Sequence, residues 1–331
     1  MLSFAFILFI IFLALLFDFL NGMNDAANSI ATVVSTKVLS PRLAVVWAAL
    51  FNFLAAFFFG VHVAATIGKG IIDPASVSSL VIFCSLIGAI IWTWSCTRLG
   101  MPISVSHALI GGFIGSAVTK SGMGVLIIPG IIKVITFIFL SPILGFTIGV
   151  VIMNLTYTFF RGFSPSRVDF LFKSLQLLSA AAFSLSHGSN DAQKTMGIIA
   201  VLLFSTGHLG PTFYIPIWCI LACHFVIALG TLFGGWAVVN TVGSRVTKLK
   251  PVNGFCAETA GALTILGASF AGIPVSTTHT ITGSIMGVGA IKRTSAVRWG
   301  VAGSILWAWV LTIPCSAAIS AISYFLIVSF R

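Results

Sequence analysis

The chain has 331 residues, of which 58% are hydrophobic and only 7% are charged, whereas about a quarter of the residues in a soluble domain are charged. This composition excludes a water-soluble globular protein, intrinsic disorder and a β-barrel, because disorder needs low hydrophobicity and a barrel lacks long apolar runs. The formal net charge of +11 does not indicate a nucleic-acid partner, because Lys and Arg fall mostly in short loops, as in membrane proteins. An all-α polytopic membrane protein is therefore predicted.

Apolar runs predict five membrane spans and one irregular segment in each half of the chain. The first half reads as a broken helix at 2–36 and spans near 43–67, 75–97, 124–140 and 142–160. The second half reads as a broken helix at 174–205 and spans near 213–241, 254–271, 294–312 and 314–330. The irregular segments, 99–119 and 272–291, are rich in Gly, Ser and Pro, which predicts re-entrant hairpins. The N-terminal run is interpreted as a retained first helix, since it lacks a basic region and a cleavage site.

An internal repeat relates the two halves. Residues 21–28 (NGMNDAAN) recur as 187–194 (HGSNDAQK), and residues 102–107 (PISVSH) recur as 274–279 (PVSTTH). The chain is therefore divided into a first membrane repeat at 1–160, a cytoplasmic linker at 161–173 and a second membrane repeat at 174–331. Five crossings per repeat is odd, which predicts two inverted repeats. Loop charges favour inversion in two of the three loop pairs, while 292–298 carries three basic residues on its predicted outer side.

Carboxylates inside a membrane are costly and mark functional sites. Asp25 and Asp191 occupy equivalent places in the repeat, each preceded by an asparagine, Asn24 or Asn190. A helix cap at the membrane surface would also suit an aspartate, but its duplication favours a functional role. Neighbouring glycines are expected to unwind the helix, and the freed carbonyls with the carboxylates would hold a proton or a Na⁺ ion at Asp25 and Asp191.

Three further acids and two histidines have separate interpretations. Glu258 lies in an apolar run and is interpreted as a cation ligand or proton carrier, the alternative being a carboxylate paired with a loop lysine. Asp18, one turn before the expected break, stays unassigned, and Asp73 lies in a loop. His107 and His279 match across the repeat, and each is predicted to be packed and singly hydrogen-bonded.

A set of hydroxyl residues is suited to bind an anion, whereas the acids are suited to bind a cation. The hydroxyl residues directly precede Gly-rich helical segments. They are Ser104, Ser106, Ser276, Thr277 and Thr278. Because helix N-termini carry free N–H groups and partial positive charge, they bind anions without basic side chains. Two such tips meeting near the middle of the membrane would surround one tetrahedral oxyanion. The alternative is that these hydroxyls satisfy backbone carbonyls of ordinary membrane helices.

The chain resembles the inorganic phosphate transporter family of secondary carriers, in its bacterial low-affinity form. The resemblance rests on Gly-x-Asn-Asp at both repeat starts, on the two hairpin motifs and on Gly-Phe-Cys-Ala-Glu at 254–258. It implies symport of inorganic phosphate with Na⁺ or H⁺, no enzymatic activity, no cofactor beyond the coupling cation, and a homodimer in the lipid bilayer. The cation-linked acids of the family map onto Asp25, Asp191 and Glu258, and its phosphate-linked hydroxyls onto the hairpin tips.

Two departures from the family pattern point to a bacterial carrier of the inner membrane. Asn52 stands where animal relatives carry a glutamate, and Gln193 with Lys194 replaces the Ala27 and Asn28 of the first repeat. Some carriers with this form are proton-coupled. Lys194 and Asn28 are assigned to coupling, and Gln193, with the two motif asparagines, to the substrate. Lys194 would replace a cation or attract the anion, unless it snorkels from a helix end.

The expected function is cation-coupled phosphate symport, and three alternatives remain. An intramembrane aspartyl protease also needs two membrane aspartates, but its Gly-x-Gly-Asp motif is missing. An anion channel differs only in lacking coupled accumulation. A sulfate permease of the same family is the closest alternative, although hydrogen phosphate can donate a hydrogen bond to a carboxylate and sulfate cannot.

Overall fold

The computed structural model describes residues 4–69, 72, 77–291 and 293–330, so Asp73 and Lys292 lie outside the described residues. Within these ranges the secondary structure is helical apart from one isolated β-bridge between Ile72 and Leu126. The helices are α1 (Phe4–Ser35), α2 (Pro41–Leu54), α3 (His62–Lys69), α4 (Ser79–Leu99), α5 (Val105–Ser121), α6 (Ile128–Phe160), α7 (Pro165–Ser205), α8 (Ile217–Phe233), α9 (Trp236–Asn240), α10 (Pro251–Phe270), α11 (Thr277–Ala290) and α12 (Trp299–Ser329). The all-α membrane fold is thus confirmed.

Helix starts follow local sequence signals. Helices α2, α7 and α10 each begin at a proline, whose fixed φ and missing N–H suit the first helical turn. Helices α5 and α11 begin after serine N-caps. Because α7 starts at Pro165, most of the segment 161–173, expected to be a loop, is helical.

The breaks expected at Gly22 and Gly188 were wrong, since α1 and α7 run through both positions without interruption. Both glycines instead allow a close backbone approach. A Cβ at Gly22 would lie 2.1 Å from the carbonyl oxygen of Ile227, and one at Gly188 would lie 2.6 Å from that of Asn52. The interruptions occur one element later in each half. One lies between α2 and α3. The other lies between α8 and α9, where the chain bends by 67°.

The division into two spans at Pro142 and at Pro314 was also wrong. Helix α6 and helix α12 are continuous over 33 and 31 residues, with one of these prolines inside each. Membrane helices tolerate proline because neighbouring helices and side chains satisfy the freed backbone groups. Among the described residues, five helices (α1, α4, α6, α7 and α12) are long and apolar enough to span a membrane, and bent α8–α9 makes six.

Each half contains a helical hairpin that places its tip inside the protein. The arms are α4 with α5 and α10 with α11, and each pair packs together. Their connections, at 100–104 and 271–276, are short extended or turn segments. The segments expected to be re-entrant, 99–119 and 272–291, thus form the tip and second arm, and the spans predicted before them form the first arm.

Contacts between the halves follow a two-fold pattern. Helix α1 packs on α8 as α7 packs on α2, and α5 packs on α12 as α11 packs on α6. Each hairpin therefore packs its second arm against the last helix of the other half. This reciprocal packing between the halves agrees with two related repeats. The inverted orientation of the repeats stays a prediction.

Glycines make these exchanged contacts possible, and replacing one is expected to destabilise the protein. A Cβ at Gly283 would lie 2.2 Å from the carbonyl oxygen of Pro142, a backbone atom that cannot move alone. Gly283→Ala should therefore lower stability by about 1–3 kcal/mol, the usual cost of overpacking. Gly303→Ala on α12, where nothing lies within 4 Å, is the matched control. Thermal unfolding in detergent measures both, and equal melting temperatures would contradict this packing argument.

A polar layer lies between two apolar clusters. On α1, residues 7–17 contribute to one cluster and residues 27–33 to the other. On α7 the order is reversed, with 180–183 in the second cluster and 192–203 in the first, so the two helices run antiparallel. Buried polar side chains fill the intervening part of both helices, which places the repeated motif away from the helix ends.

Candidate functional site

Both hairpin tips end in an N-cap that orients the following helix. The side chain of Ser104 accepts a hydrogen bond from the backbone N–H of His107, at 3.3 Å, and that of Ser276 accepts one from His279, at 3.2 Å. Two of the three predicted substrate-binding serines, Ser104 and Ser276, are thus engaged as N-caps. The helix N-termini that they open are buried in the protein.

The tip of the second hairpin lies against the two motif aspartates. The Thr277 hydroxyl is 3.1 Å from Asp25 Oδ2 and 3.2 Å from Asp191 Oδ2, so one hydroxyl bridges the two carboxylates. Thr278 donates to Asp25 Oδ1 at 3.2 Å and accepts from the Asn28 amide at 2.9 Å. Both aspartates are buried inside continuous helices, so the helix-cap alternative does not apply.

His187 lies between the same two carboxylates. Its Nε2 is 3.3 Å from Asp191 Oδ2 and 3.7 Å from Asp25 Oδ2. Its Nδ1 lies 3.1 Å from Asn52 Oδ1, and the Asn52 amide donates to Thr231 at 3.0 Å. Since Asn52 Oδ1 is an acceptor, Nδ1 carries the proton in this arrangement.

This tautomer has a consequence for the ligands that the site accepts. In a neutral His187 the Nε2 lone pair faces two anionic oxygens, which is repulsive unless a proton or a cation lies between them. One ligand atom from each of Asp25, His187 and Asp191 lies within 4.8 Å of the others. Metal-binding histidines commonly donate their second ring N–H to an oxygen, as His187 does to Asn52. The three residues therefore fit a small cation.

Lys194 connects α7 to both hairpins. Its Nζ donates to Asp191 Oδ1 at 2.5 Å, to the carbonyl oxygen of Val275 at 2.9 Å and to the hydroxyl of Ser106. Lys194 is only 2% exposed, so it does not snorkel from a helix end. The positive charge of the buried ammonium group compensates the negative charge of one of the two aspartates. Its N–H groups also lie beside both hairpin tips.

The motif asparagines make equivalent contacts in the two halves. The Asn24 amide donates to Thr97 of α4 at 2.8 Å, and the Asn190 amide donates to Ser269 of α10, also at 2.8 Å. Each thus binds the first arm of its own hairpin. Their carbonyl oxygens are buried without a partner among the described residues, so each keeps one acceptor for a ligand or a proton.

Gln193 holds the interruption between α2 and α3. Its Oε1 accepts from the backbone N–H groups of Val63 at 2.9 Å and Ala64 at 3.2 Å, and its amide donates to the carbonyl oxygens of Gly60 at 2.7 Å and Ser189 at 2.5 Å. These contacts fix the start of α3. The side chain is therefore engaged by backbone groups, although it was predicted among the substrate ligands.

Glu258 belongs to a separate polar cluster. Its two oxygens accept hydrogen bonds from the Gln176 amide at 3.0 Å and from the Ser179 hydroxyl at 2.5 Å. Within the described residues no lysine pairs with Glu258, so the alternative of a loop-lysine ion pair does not apply. Ser179 and Asp191 are twelve residues apart on α7, which corresponds to about 18 Å of helix. Of the three predicted coupling acids, Asp25 and Asp191 therefore lie together, and Glu258 lies far from both.

His107 and His279 meet where the two hairpins touch. Their ring centroids are 4.9 Å apart in an edge-on arrangement, and His279 stacks on Trp309 at 3.7 Å. His279 Nδ1 lies 3.3 Å from the carbonyl oxygen of Ile138. The pair packs the hairpins together beside the site.

Two residues of the site were missed by the sequence reasoning, although one signal was present. His187 is four residues before Asp191 and so lies on the same face of α7, and it occupies the repeat position of Asn21. Asn52 was noted only as a departure from animal relatives, and no pattern in the sequence connects it to His187. The contact between Asn52 and His187 depends on how closely α2 packs against α7, which the sequence does not show.

Known proteins match this chain over nearly its whole length. A sequence model of the phosphate transporter family matches residues 21–320. A protein of Rhizobium meliloti, named "Probable low-affinity inorganic phosphate transporter", is 55% identical over 98% of this chain and 97% of its own length. A Bacillus subtilis protein of the same name is 43% identical over 96% of both chains. A solved structure described as the sodium-dependent phosphate transporter is similar with a TM-score of 0.91 and 27% identity, over 99% of this chain and 100% of that one.

Proposed function

Because the chain belongs to the phosphate transporter family, we propose that it imports inorganic phosphate by symport with a cation, H⁺ or Na⁺, across the bacterial inner membrane. The observation that carries the proposal is the meeting of both hairpin tips with two carboxylates and a lysine in the buried polar layer. The bacterial relatives support the location, and the family resemblance supports a homodimer.

Phosphate binds, in this proposal, between the two tips. Several hydrogen-bond donors lie together between the tips: the hydroxyls of Ser106, Thr277 and Thr278 and the ammonium group of Lys194. The N-termini of α5 and α11 lie beside these donors. Such a set suits a tetrahedral oxyanion. Hydrogen phosphate also has a proton to donate to a carboxylate, which sulfate lacks, so phosphate fits beside Asp25 and Asp191 better than sulfate does.

Coupling to a cation follows from the charge of the site. Two carboxylates and one lysine leave one uncompensated negative charge when His187 is neutral. In a buried site this charge repels an incoming anion strongly, because there is little water to screen it. A cation or proton held by Asp25, His187 and Asp191 removes the repulsion. Phosphate and cation therefore bind together, and Glu258 is assigned to a second coupling position away from the anion.

Transport requires that the site open to each side in turn. The tips contact α1 and α7 through polar groups that bound phosphate would replace, since Thr277, Thr278 and Lys194 are now engaged by the aspartates. Rocking or sliding of one helix group against another would then expose the site alternately, as in other carriers built from repeats.

Uptake by the purified protein in proteoliposomes tests this proposal. Radiolabelled phosphate is expected to accumulate above its external concentration when an inward Na⁺ or pH gradient is imposed, and to leave when the gradient is dissipated. Excess sulfate should not compete. Equilibration without accumulation would instead identify an anion channel, and equal competition by sulfate would identify a sulfate permease.

A further inference from the structure

Asp18 is a buried carboxylate that the proposed phosphate site does not use. It lies on α1 seven residues before Asp25 and is completely buried. Its Oδ1 accepts a hydrogen bond from the Thr195 hydroxyl of α7 at 3.0 Å, while its Oδ2 has no partner among the described residues. The matching residue of the second half is Ser184, so this acid occurs in one repeat only.

Two buried oxygen atoms beside each other on α1, Asp18 Oδ2 and Asn21 Oδ1, lack a hydrogen-bond donor among the described residues. Asn21, one turn further along α1, places its amide beside the Asp18 carboxyl, and its own Oδ1 is buried without a described partner. A buried carboxylate with one unpaired oxygen is costly, and so is a buried unpaired amide oxygen. A single proton on Asp18 removes the charge and adds the donor that this cluster lacks.

A proton fits this position better than a metal ion does. Hard cations need several oxygen ligands, and among the described residues the hydrogen-bond partners of Asp18 are the side chains of Asn21 and Thr195. The backbone carbonyls of α1 and α7 are engaged in continuous helices. A proton needs no such coordination shell.

The charged groups near Asp18 connect it to the phosphate site. Asp191 and His187 face it from α7, and the Cys223 thiol faces it from α8. Helix α4 carries one charged residue, Arg98, whose guanidinium lies over the ring of Trp94. Thr195 is one turn after Asp191 and next to Lys194. A negative Asp18 therefore adds to the repulsion that phosphate meets, and a neutral one reduces it.

We propose that Asp18 takes up a proton that is transported with phosphate. The inference rests on the proposed function, because it names a group that makes phosphate uptake respond to the pH gradient. It also explains why this acid has no repeat counterpart, since one proton needs one carboxyl group, whereas the anion is enclosed from both halves.

The test separates exchange from driven uptake in proteoliposomes that contain Asp18→Asn. With equal pH and equal phosphate on both sides, the variant should exchange labelled phosphate at the wild-type rate. With an inward pH gradient and no Na⁺ gradient, wild-type protein should accumulate phosphate by up to about tenfold per pH unit for one proton, and the variant should not. Ser184→Ala, at the matching position, should behave as wild type, and Asp18→Ser replaces Asp18→Asn if the latter does not fold.

Each outcome decides one question. Undiminished accumulation by the variant under a pH gradient would overturn the role of Asp18, and so would loss of exchange by a folded variant, which would place Asp18 in the anion site. Wild-type accumulation with a Na⁺ gradient alone would also reject it, while leaving symport intact. Failure of the wild-type protein to exchange phosphate at all would instead reject the proposed function.

Discussion

Asp25→Asn is expected to abolish concentrative phosphate uptake while the protein remains folded. Asparagine has nearly the shape of aspartate and keeps an acceptor for the Thr278 hydroxyl, so the packing around α1 should survive. The charge that attracts the coupling cation between Asp25, His187 and Asp191 is lost. An interaction with a charged group is worth up to about 3 kcal/mol, so the initial rate of driven uptake should fall by about 100-fold.

Asp169→Asn is the matched control for this variant. Asp169 is a half-exposed acid at the protein surface, in an ion pair with Lys173 at 3.0 Å, and such surface pairs contribute at most about 1 kcal/mol. Its uptake should equal that of the wild-type protein, with radiolabelled phosphate as the readout for both. Full gradient-driven uptake by Asp25→Asn would reject the assignment of the cation site.

Lys194→Met is expected to be the most destabilising single substitution in the site. The ammonium group is buried and bonded to Asp191, Val275 and Ser106, so its removal leaves a buried carboxylate without its partner. Breaking a buried ion pair from one side costs about 3–5 kcal/mol. The variant should therefore melt at a clearly lower temperature in detergent and should not transport phosphate.

The double variant Asp191→Asn with Lys194→Met separates charge pairing from function. It removes both charges, so much of the lost stability should return, whereas phosphate uptake should stay absent because the donor and the cation ligand are both missing. Lys173→Met, at an exposed pair, serves as the stability control. If the double variant melts at the same temperature as Lys194→Met, the unpaired Asp191 charge is not the cause of the instability.

Repetition made the centre of the site predictable. The motif at 21–28 recurs at 187–194 and the tip at 102–107 recurs at 274–279, and these four segments supply the residues that meet around Asp25 and Asp191. Two copies of a costly polar pattern in apolar helices are informative without knowledge of the fold. The contacts of Glu258 with Gln176 and Ser179 were not predictable, because they depend on how α7 packs against α10.

The helix breaks show where local signals mislead. Gly22 and Gly188 were interpreted as points of unwinding, yet each is needed where another backbone passes within contact distance. The actual interruptions fall near Gly60 and at Gly234 with Gly235, where no break was predicted. Sequence alone does not distinguish a glycine that ends a helix from one that admits a neighbour, because both need only the absence of a side chain.

The exchanged packing of the hairpins constrains the order in which the protein can mature. During synthesis α5 leaves the ribosome long before α12, the helix that covers its glycine face through bonds such as Ser316 to the carbonyl oxygen of Ala108 and Ser320 to that of Gly112. The first hairpin must therefore wait in the bilayer without its partner until translation of the second half is nearly finished. A chaperone or insertase that shields this face would have its greatest effect in that interval, and neither half should mature alone.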